Sequence, residues 1–415
     1  MASGFNINGS DIEDQYISKS YLLDRYPEIA DQFKFAALYG TGQNWYGMLG
    51  NNGIGTAGSG AIASTPVQTV SGGGNWKSVS ASGTTVGAIK TDGTLWMWGS
   101  GTYGGLGDNT NGNFKSSPVQ IVSGGTWKQI SCRGNASAAI KTDGTLWSWG
   151  YQGNGEFGNG VANARYSSPV QTSSGGTNWE QLDMGSGFTM AVKTDGTLWG
   201  WGINTLYQCG LGSTSDRTVP TQNTSAGDSW KMVACGYEHA LAVKTNGTMY
   251  GWGRNYYGQV GTGSNGNNIT APAQITGTTW KQPSAGPSTS ACIKTDGTLW
   301  VWGYNGAYVL GTNNGTSYSS PVQISGGGTN WKTVDFRFSA NAAGGIKTDG
   351  TLWMWGGNWY GQRGDGTVLP AFSTAASTPV QVTAGGTNNW KQISVGSYTI
   401  HFIRDDSMDL GFDNL

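Results

Sequence analysis

Charge, histidine and long apolar runs are all scarce in this chain of 415 residues. Charged residues make up only 11% of it, and histidine occurs only twice. No apolar run approaches the roughly 20 residues that a membrane-spanning helix needs. Residues 1–11 also lack the charged-then-apolar pattern of a secretory signal peptide. We therefore expect neither a membrane span nor a cleaved signal.

Cysteine is also scarce, and its placement argues against metal sites. The four cysteines form no Cys-x-x-Cys pair, and two histidines cannot complete the common zinc patterns. Cys132 and Cys235 occupy the repeat position that Ala81 also occupies, which predicts small apolar fillers. Neither His239 nor His401 stands in a motif that would position a nucleophile. The sequence therefore predicts no catalytic residue, no metal and no cofactor, and we expect the protein not to be an enzyme.

Glycine and aromatic residues, by contrast, are abundant. The chain has 71 Gly, 20 Trp and 18 Tyr. Low charge combined with many aromatic residues argues against disorder, and glycine without a strict three-residue period argues against collagen. This composition is typical of an all-β protein with many turns.

An internal repeat predicts the fold. The string KTDGTLW, or KTNGTMY in one copy, recurs every 50 to 53 residues, from Lys90, Lys141, Lys193, Lys244, Lys294 and Lys347. Each copy is followed by Trp-Gly, and two other landmarks, Pro-x-Gln and a lone Trp usually followed by Lys, occur seven times each. Asp-Gly between two alternating segments predicts a hairpin, and the segments around PVQI and WKQIS supply two more strands. Seven such units predict a seven-bladed β-propeller.

The seventh copy of the hairpin is divided between the two ends of the chain. Residues 403–407 align with 140–144, and residues 35–40 align with 94–99. We therefore expect an N-terminal strand to complete the blade that the C-terminal strands begin, which removes exposed sheet edges. The predicted organisation is an attachment segment over 1–34, a propeller over 35–407 and an acidic tail over 408–415.

One unit, residues 234–261, carries a Gly-x-x-His strand, an Asn-Gly turn, a Trp-Gly strand and a Gly-Gln-Val-Gly loop. These features resemble the repeat of the regulator-of-chromosome-condensation family. The resemblance covers about residues 35–407 and implies a seven-bladed propeller. The family's namesake is a nucleotide-exchange factor for a nuclear GTPase. The Trp- and Gly-rich versions of the repeat also resemble those in structural proteins of tailed bacteriophages.

Residues 1–34 do not fit the repeat. Ser10 to Glu13 reads as a capping box, and a helix is predicted from Asp11 to about Arg25. Its apolar side chains fall near helical spacing at Ile12, Tyr16, Leu23 and Tyr26. The segment either lies on the outside of its own propeller or docks on another protein. We expect most of its contacts to be with another chain, either a second copy or a virion partner.

Aromatic residues recur just after the Trp-Gly strand, at Trp45, Tyr46, Tyr103, Tyr207, Tyr257, Tyr308, Trp359 and Tyr360. They either pack within the blades or form a surface that stacks on sugars or grips a protein loop. The loops starting at Gly50 and Gly364 are the longest of their kind, and they lie in units next to the closure. They are either tolerated insertions or part of a contact surface beside both termini.

Basic residues exceed acidic ones in the repeats. Residues 35–404 hold 20 bases and 14 acids, whereas residues 1–34 hold six acids and three bases. Thirteen of the 20 bases occupy two recurring repeat positions, which predicts that they are spread around the molecule. Because a nucleic-acid binder usually gathers its bases on one face, we expect no nucleic-acid partner.

Two functions are compatible with these features of the sequence. The leading hypothesis is a bacteriophage virion component, such as an appendage, decoration or fibre protein. It would present the propeller to other virion proteins, to copies of itself, or to a glycan or protein of the host surface. The alternative is a cellular regulatory or inhibitory propeller that holds a partner protein, in an exchange-factor-like or enzyme-inhibitor-like manner, and that is cytoplasmic.

Overall fold

A computed structural model describes residues 36–406, except 55–61, 71–73, 174–175, 338–340, 369–374 and 387. The described residues form 28 strands in seven four-stranded antiparallel sheets, together with one short 3-10 turn at Thr102–Gly104. The predicted all-β, seven-bladed propeller is therefore confirmed. The helix predicted within residues 1–34, with Ile12, Tyr16, Leu23 and Tyr26, and the tail over 408–415 lie outside the described residues.

Each blade contains an inner, a second, a third and an outer strand. The inner strands are β3 (Trp76–Ala81), β7 (Trp127–Arg133), β11 (Trp179–Met184), β15 (Trp230–Cys235), β19 (Trp280–Ala285), β23 (Trp331–Asp335) and β27 (Trp390–Val395). The second strands are β4 (Thr85–Lys90), β8 (Ala136–Lys141), β12 (Phe188–Lys193), β16 (His239–Lys244), β20 (Thr289–Lys294), β24 (Ala342–Lys347) and β28 (Thr399–Asp405).

The remaining strands complete the blades in the same order. The third strands are β5 (Leu95–Ser100), β9 (Leu146–Gln152), β13 (Leu198–Gly202), β17 (Met249–Gly253), β21 (Leu299–Gly303), β25 (Leu352–Gly356) and β1 (Ala36–Gln43). The outer strands are β6 (Phe114–Gln120), β10 (Ala164–Gln171), β14 (Arg217–Asn223), β18 (Ile269–Ile275), β22 (Tyr318–Gln323), β26 (Ala376–Gln381) and β2 (Ile62–Gln68). Blades 1 to 7 follow this order.

The seventh blade joins both ends of the described chain, as predicted. Strand β1 pairs with β28 from Ala36 opposite Asp405 to Gly42 opposite Thr399, and β2 forms the outer edge. The predicted alignment of β1 is wrong by two residues. Gly42 takes the place of Gly99, with φ of +100° and +95° respectively. The sequence misleads because Tyr39-Gly40 imitates the Trp-Gly pair, whereas the strand uses Thr41-Gly42.

Thr41 consequently stands where the other blades have a buried tryptophan. The Trp98 indole donates a hydrogen bond to the Met48 carbonyl in the loop of the preceding blade, at 2.7 Å. Thr41 Oγ1 makes the equivalent bond to the Gln362 carbonyl, at 2.8 Å. His401 lies beside the Trp98 ring and donates its Nε2–H to the Met48 carbonyl at 2.9 Å. The closing blade thus keeps the inter-blade bond without the tryptophan.

Tryptophans fill the blades, as predicted. In blade 1, Trp76 and Trp98 are buried and their ring centroids lie 6.2 Å apart. Trp96 is half-buried, and the Lys90 ammonium lies between the two rings, 5.2 Å from Trp76 and 4.6 Å from Trp96. Equivalent lysines lie between two aromatic rings in blades 2 to 6. The repeated lysine therefore belongs to the packing of each blade.

Inner strands line the central channel and are joined by side chains across the seams between blades. The Gln129 amide donates to the Leu182 carbonyl at 2.8 Å and accepts from the Leu182 N–H at 3.0 Å. Gln181 binds the backbone of Val233 in the same way. At the seam between blades 4 and 5 the equivalent residue is Met232, which faces Pro283. Since proline has no N–H to donate, a glutamine there would lose half of this pair of bonds.

The strands define two faces. We call "turn face" the one with the second-to-third-strand turns and the blade connections, and "loop face" the one with the first-to-second and third-to-fourth-strand loops. Both recurring basic positions lie on the turn face, so the prediction that these bases are spread around the molecule is wrong. The turn face carries 12 of the 13 described lysines, whereas the loop face carries six of the seven described arginines.

Candidate functional site

Loops on the loop face are built from a recurring Asn-x-Tyr-Gly pattern, and the asparagine is structural. Asn255 is fully buried, accepts a hydrogen bond from the Val260 N–H at 3.0 Å and donates to the Ser264 carbonyl at 3.0 Å. The equivalent asparagines, each accepting the N–H five residues ahead, are Asn44, Asn204, Asn305 and Asn358. These buried amides shape the loops and are not available to a ligand.

Where a glycine follows the tyrosine, it lies pressed against the next blade. A Cβ on Gly258 would lie 2.5 Å from Ser319 Cα, on the outer strand of blade 5. The neighbouring aromatic side chain is held towards the surface. All eight aromatic residues predicted from the sequence are half-buried or exposed, and Tyr308 is the most open, with 40% of its surface exposed.

The structure brings some of the predicted aromatic residues together. Trp45, Tyr360 and Tyr398 form a cluster across the border of blades 6 and 7, with ring centroids 5.3 to 6.1 Å apart. Trp359 is the half-buried chain neighbour of Tyr360. Of this cluster, Tyr398 was not predicted; it comes from the loop between β27 and β28. The predicted ring of aromatic residues is therefore divided into separate clusters.

A second cluster lies on blades 1 and 2. The Tyr103 and Tyr151 rings are 5.5 Å apart, and the Arg165 guanidinium lies over the Tyr103 ring at 4.4 Å. Tyr46 packs on Phe114 of the next blade at 5.0 Å.

Blades 4 and 5 carry the most exposed group, which we call the blade 4–5 patch: Tyr237, Arg254, Tyr256, Tyr257 and Tyr304. The Tyr257 ring lies 4.8 Å from Tyr256 and 4.7 Å from Tyr304. Arg254 forms an ion pair with Glu238 and lies over the Tyr256 ring.

Sequence reasoning found only Tyr257 in the blade 4–5 patch. Tyr304 directly follows the Trp-Gly pair, as Tyr151 does in blade 2. The recurrence of tyrosine at that position could have indicated Tyr304 from the sequence alone. Tyr207 and Tyr308, both predicted, join none of the ring pairs among the described residues.

A cluster of charged residues lies at the loop-face end of the channel, where Arg133, Asp183 and Asp335 are buried and Arg337 is half-buried. Arg337 lies 3.6 Å from an Asp183 oxygen and 3.5 Å from an Asp335 oxygen. Arg133 donates to the Arg337 carbonyl at 3.1 Å and lies under the Tyr237 ring at 4.7 Å. Burial raises the pKa of Asp335 and lowers the pKa of Arg133 to about 10, so Arg133 stays protonated at pH 7. A cavity of about 170 Å³ lies along the channel beside Arg337.

Histidine and cysteine side chains lie inside the blades. Burial lowers the pKa of His239 to about 3 and that of His401 to about 4, so both are neutral at pH 7. All four cysteines are free and buried, which confirms the predicted fillers Cys132 and Cys235. Across the part of the chain that the structure describes, no group of three His, Cys, Asp or Glu could hold a metal ion. Within the same part, no helix is long and apolar enough to cross a bilayer.

Comparison with known proteins supports the repeat assignment. The model of the RCC1-like domain matches residues 36–345, and that of the regulator of chromosome condensation (RCC1) repeat matches residues 349–402.

Among curated proteins, the ultraviolet-B receptor UVR8 of Arabidopsis thaliana is 34% identical over 171 residues, which is 41% of this chain and 39% of UVR8. The E3 ubiquitin-protein ligase HERC2 of Homo sapiens is 31% identical over 182 residues, 43% of this chain and 4% of HERC2. The matched regions thus span less than half of these relatives.

Solved structures share the fold. Prp20p of Saccharomyces cerevisiae matches with a TM-score of 0.78 and 17% identity, over 93% of this chain and 96% of Prp20p. Human WBSCR16 matches with a TM-score of 0.77 and 18% identity, over 89% of this chain and 99% of WBSCR16. At these identities the likeness concerns the fold alone. The family models cover most of the propeller, and the chain therefore belongs to the RCC1-like domain family.

Proposed function

We propose that this protein is a non-enzymatic binding propeller that holds a protein partner on its loop face, in a regulatory or inhibitory role within a cell. The observation that carries the proposal is the concentration of arginine and exposed tyrosine on that face. Tyr, Trp and Arg dominate the energetically important residues of protein–protein interfaces.

Relatives support a protein partner. The Prp20p structure was described together with binding of Prp20p to Gsp1p and histones, and a second Prp20 structure has Kap60 bound. From these structures we infer only that this chain, like Prp20p, binds a protein. The relatives named above come from plant, human and yeast cells, which favours a cellular role over the virion role. The virion hypothesis rests on the sequence resemblance alone.

Two areas of the loop face are candidates for the contact. One is the blade 4–5 patch, and the other is the cluster of Trp45, Tyr360 and Tyr398 with Trp359. The blade 4–5 patch combines exposed rings with a cation, since Tyr256 is 59% exposed and Arg254 lies beside it. Paired rings and a guanidinium suit a protein surface better than a sugar, so we favour this patch.

Quantitative affinity purification tests the proposal. The wild-type chain is compared with the double variant Arg254→Ala/Tyr256→Ala and with a turn-face control, Lys231→Ala/Lys281→Ala. A protein partner should be retained by the control and depleted by the loop-face variant. Partners depleted only by the control would overturn the proposal. Recovery with intact virus particles would restore the virion role.

A further inference from the structure

The turn face carries a ring of lysines around the second mouth of the channel. The residue after the inner-strand tryptophan is lysine in six blades, namely Lys77, Lys128, Lys231, Lys281, Lys332 and Lys391. We call these six residues the lysine ring. In blade 3 the same position holds Glu180.

The spacing of the ring suits carboxylates between neighbouring blades. Lys128 Nζ lies 2.5 Å from Glu180 Oε2, so side chains at adjacent ring positions reach each other across a seam. Glu180 shows that a carboxylate fits there. Four lysines have no carboxylate of the described residues within ion-pair distance, namely Lys77, Lys231, Lys281 and Lys332. Several seams of the ring are therefore suited to an added acidic side chain.

Charge is unevenly divided between the two faces and the segments that flank the propeller. Among the described residues, the turn face holds 13 basic and nine acidic side chains, whereas the loop face holds seven of each. Residues 1–34 hold six acidic and three basic residues. The excess negative charge of that segment thus complements the excess positive charge of the turn face.

The N-terminal segment joins the propeller beside the lysine ring. Strand β1 begins at Ala36, which pairs with Asp405, and Asp405 lies 3.4 Å from Lys391. An extended chain of 34 residues spans up to about 110 Å, far more than it takes to cross the channel mouth. The point of attachment therefore permits the segment to reach the lysine ring of its own chain.

We propose that residues 1–34 bind the lysine ring of their own chain through acidic residues such as Asp11, Glu13 and Asp14, as Glu180 binds Lys128. Contact with another chain, which the sequence favours, is the competing outcome. The proposal concerns the face opposite to the proposed partner surface and does not depend on it.

Amine acetylation followed by mass spectrometry tests the proposal on the intact protein. The full chain is compared with a chain lacking residues 1–34 and with the full-length variant Asp11→Asn/Glu13→Gln/Asp14→Asn. Lys115 on the loop face serves as the internal control. We expect Lys77, Lys231, Lys281 and Lys332 to react about two- to fivefold more slowly in the full chain, the ratio that an exposed ion pair supports.

The protection should be independent of protein concentration and should disappear near 1 M salt, where charges are screened within about 3 Å. Equal reactivity of the ring in all three proteins would overturn the proposal. Protection that grows with protein concentration would also overturn it, because it would place the segment on another copy. If the shortened chain does not fold, the full-length variant decides alone.

Discussion

On the turn face the cations are lysines, with Arg404 in blade 7, at positions that the repeat fixes, whereas on the loop face all but Lys115 are arginines and none of their positions recurs in every blade. Lys294 shows the first kind, since its ammonium lies 4.5 Å from the Trp280 ring and 4.2 Å from the Trp300 ring. Arg254 is an example of the loop-face arginines, because it lies over the exposed Tyr256 ring of the blade 4–5 patch. Residues that recur in every blade therefore stabilise the propeller, whereas residues that differ between blades are the better candidates for binding a partner.

Removing the strand that closes the ring should have the largest effect. A chain lacking residues 1–40 loses most of β1 and leaves one edge of β28 largely unpaired, whereas a chain lacking residues 1–30 keeps all of β1. We expect the longer deletion to lower the melting temperature much more, because only that deletion exposes an open blade edge. Equal melting temperatures of the two shortened chains would contradict the conclusion that β1 closes the ring of blades.

A fall in pH should destabilise the loops of the loop face before it destabilises the turn face. Burial lowers the pKa of His239 to about 3 and of His401 to about 4, against about 6.5 in the unfolded chain. The unfolded chain therefore binds protons below pH 6.5 that the folded chain does not, and stability present above that pH is lost as the pH falls. At pH 5 the loss is about 2 kcal/mol for each histidine.

Hydrogen exchange at pH 7 and pH 5 measures where this loss appears. The loops at Met48 and Gln259 should open first, since His401 binds the Met48 carbonyl and His239 reaches Gln259 through Ser290. The double variant His239→Gln/His401→Gln should show a flatter dependence on pH. An unchanged dependence would mean that other groups set the acid response.

Truncating a buried tryptophan should cost more than truncating its half-exposed partner. Trp302 is fully buried and donates to the Gln259 carbonyl at 2.9 Å, so Trp302→Ala should lower the free energy of unfolding by about 3–5 kcal/mol. Trp300 is half-buried beside Lys294 in the same blade, so Trp300→Ala should lower the free energy of unfolding distinctly less. Chemical denaturation of the two variants measures the difference, and equal losses would show that both faces contribute equally to the core.

Seam glutamines should contribute a smaller, position-dependent amount. Gln181→Ala removes both bonds to Val233 and leaves buried backbone groups unpaired, at a cost of about 1–3 kcal/mol. Met232→Gln is the matched control: Pro283 cannot donate to it, so it should bring no comparable gain. Denaturation midpoints compare the two, and a large gain from Met232→Gln would contradict the account of this seam.

Repetition in the sequence was enough to predict seven blades, the split blade and the buried Cys132 and Cys235. The register of β1 was not predicted, because Thr41 stands in place of the repeat tryptophan and Tyr39-Gly40 imitates the Trp-Gly pair two residues earlier. The gathering of lysines on one face was missed for a different reason. Their two positions are far apart in the repeat, and only antiparallel pairing brings both to the same end of each blade.

The candidate surface was only partly predictable. Tyr257 and Tyr360 were found because they recur, and Trp45 because it stands beside such a tyrosine. Tyr256 occupies the same position after the loop asparagine as Trp45 and was overlooked, whereas Tyr237 and Tyr398 occupy loop positions that do not recur. Contacts across blade borders, such as Tyr257 with Tyr304, depend on how consecutive blades are arranged in the ring. The asparagines that precede these aromatic residues hold the loops, which only their hydrogen bonds show.

Surface substitutions should have the smallest effect on stability, and they should distinguish a packing role of the turn-face residue from a binding role of the loop-face residues. Lys294→Ala loses a cation between two rings and should cost about 0.5–1 kcal/mol. The loop-face double variant Trp45→Ala/Trp359→Ala, at two half-buried positions, should barely change the fold while weakening any partner held at the closure. Thermal denaturation gives both values. A large loss of stability in the loop-face variant would favour packing as the role of these tryptophans.

Titration of the isolated partner against matched variants of the two faces tests the central claim most directly. The account predicts that Arg254→Ala/Tyr256→Ala weakens binding at least about tenfold, as loss of a hot-spot residue does, with an unchanged melting temperature. Lys231→Ala/Lys281→Ala should leave the affinity unchanged. The opposite pattern, with affinity lost on the turn face and kept on the loop face, would contradict it.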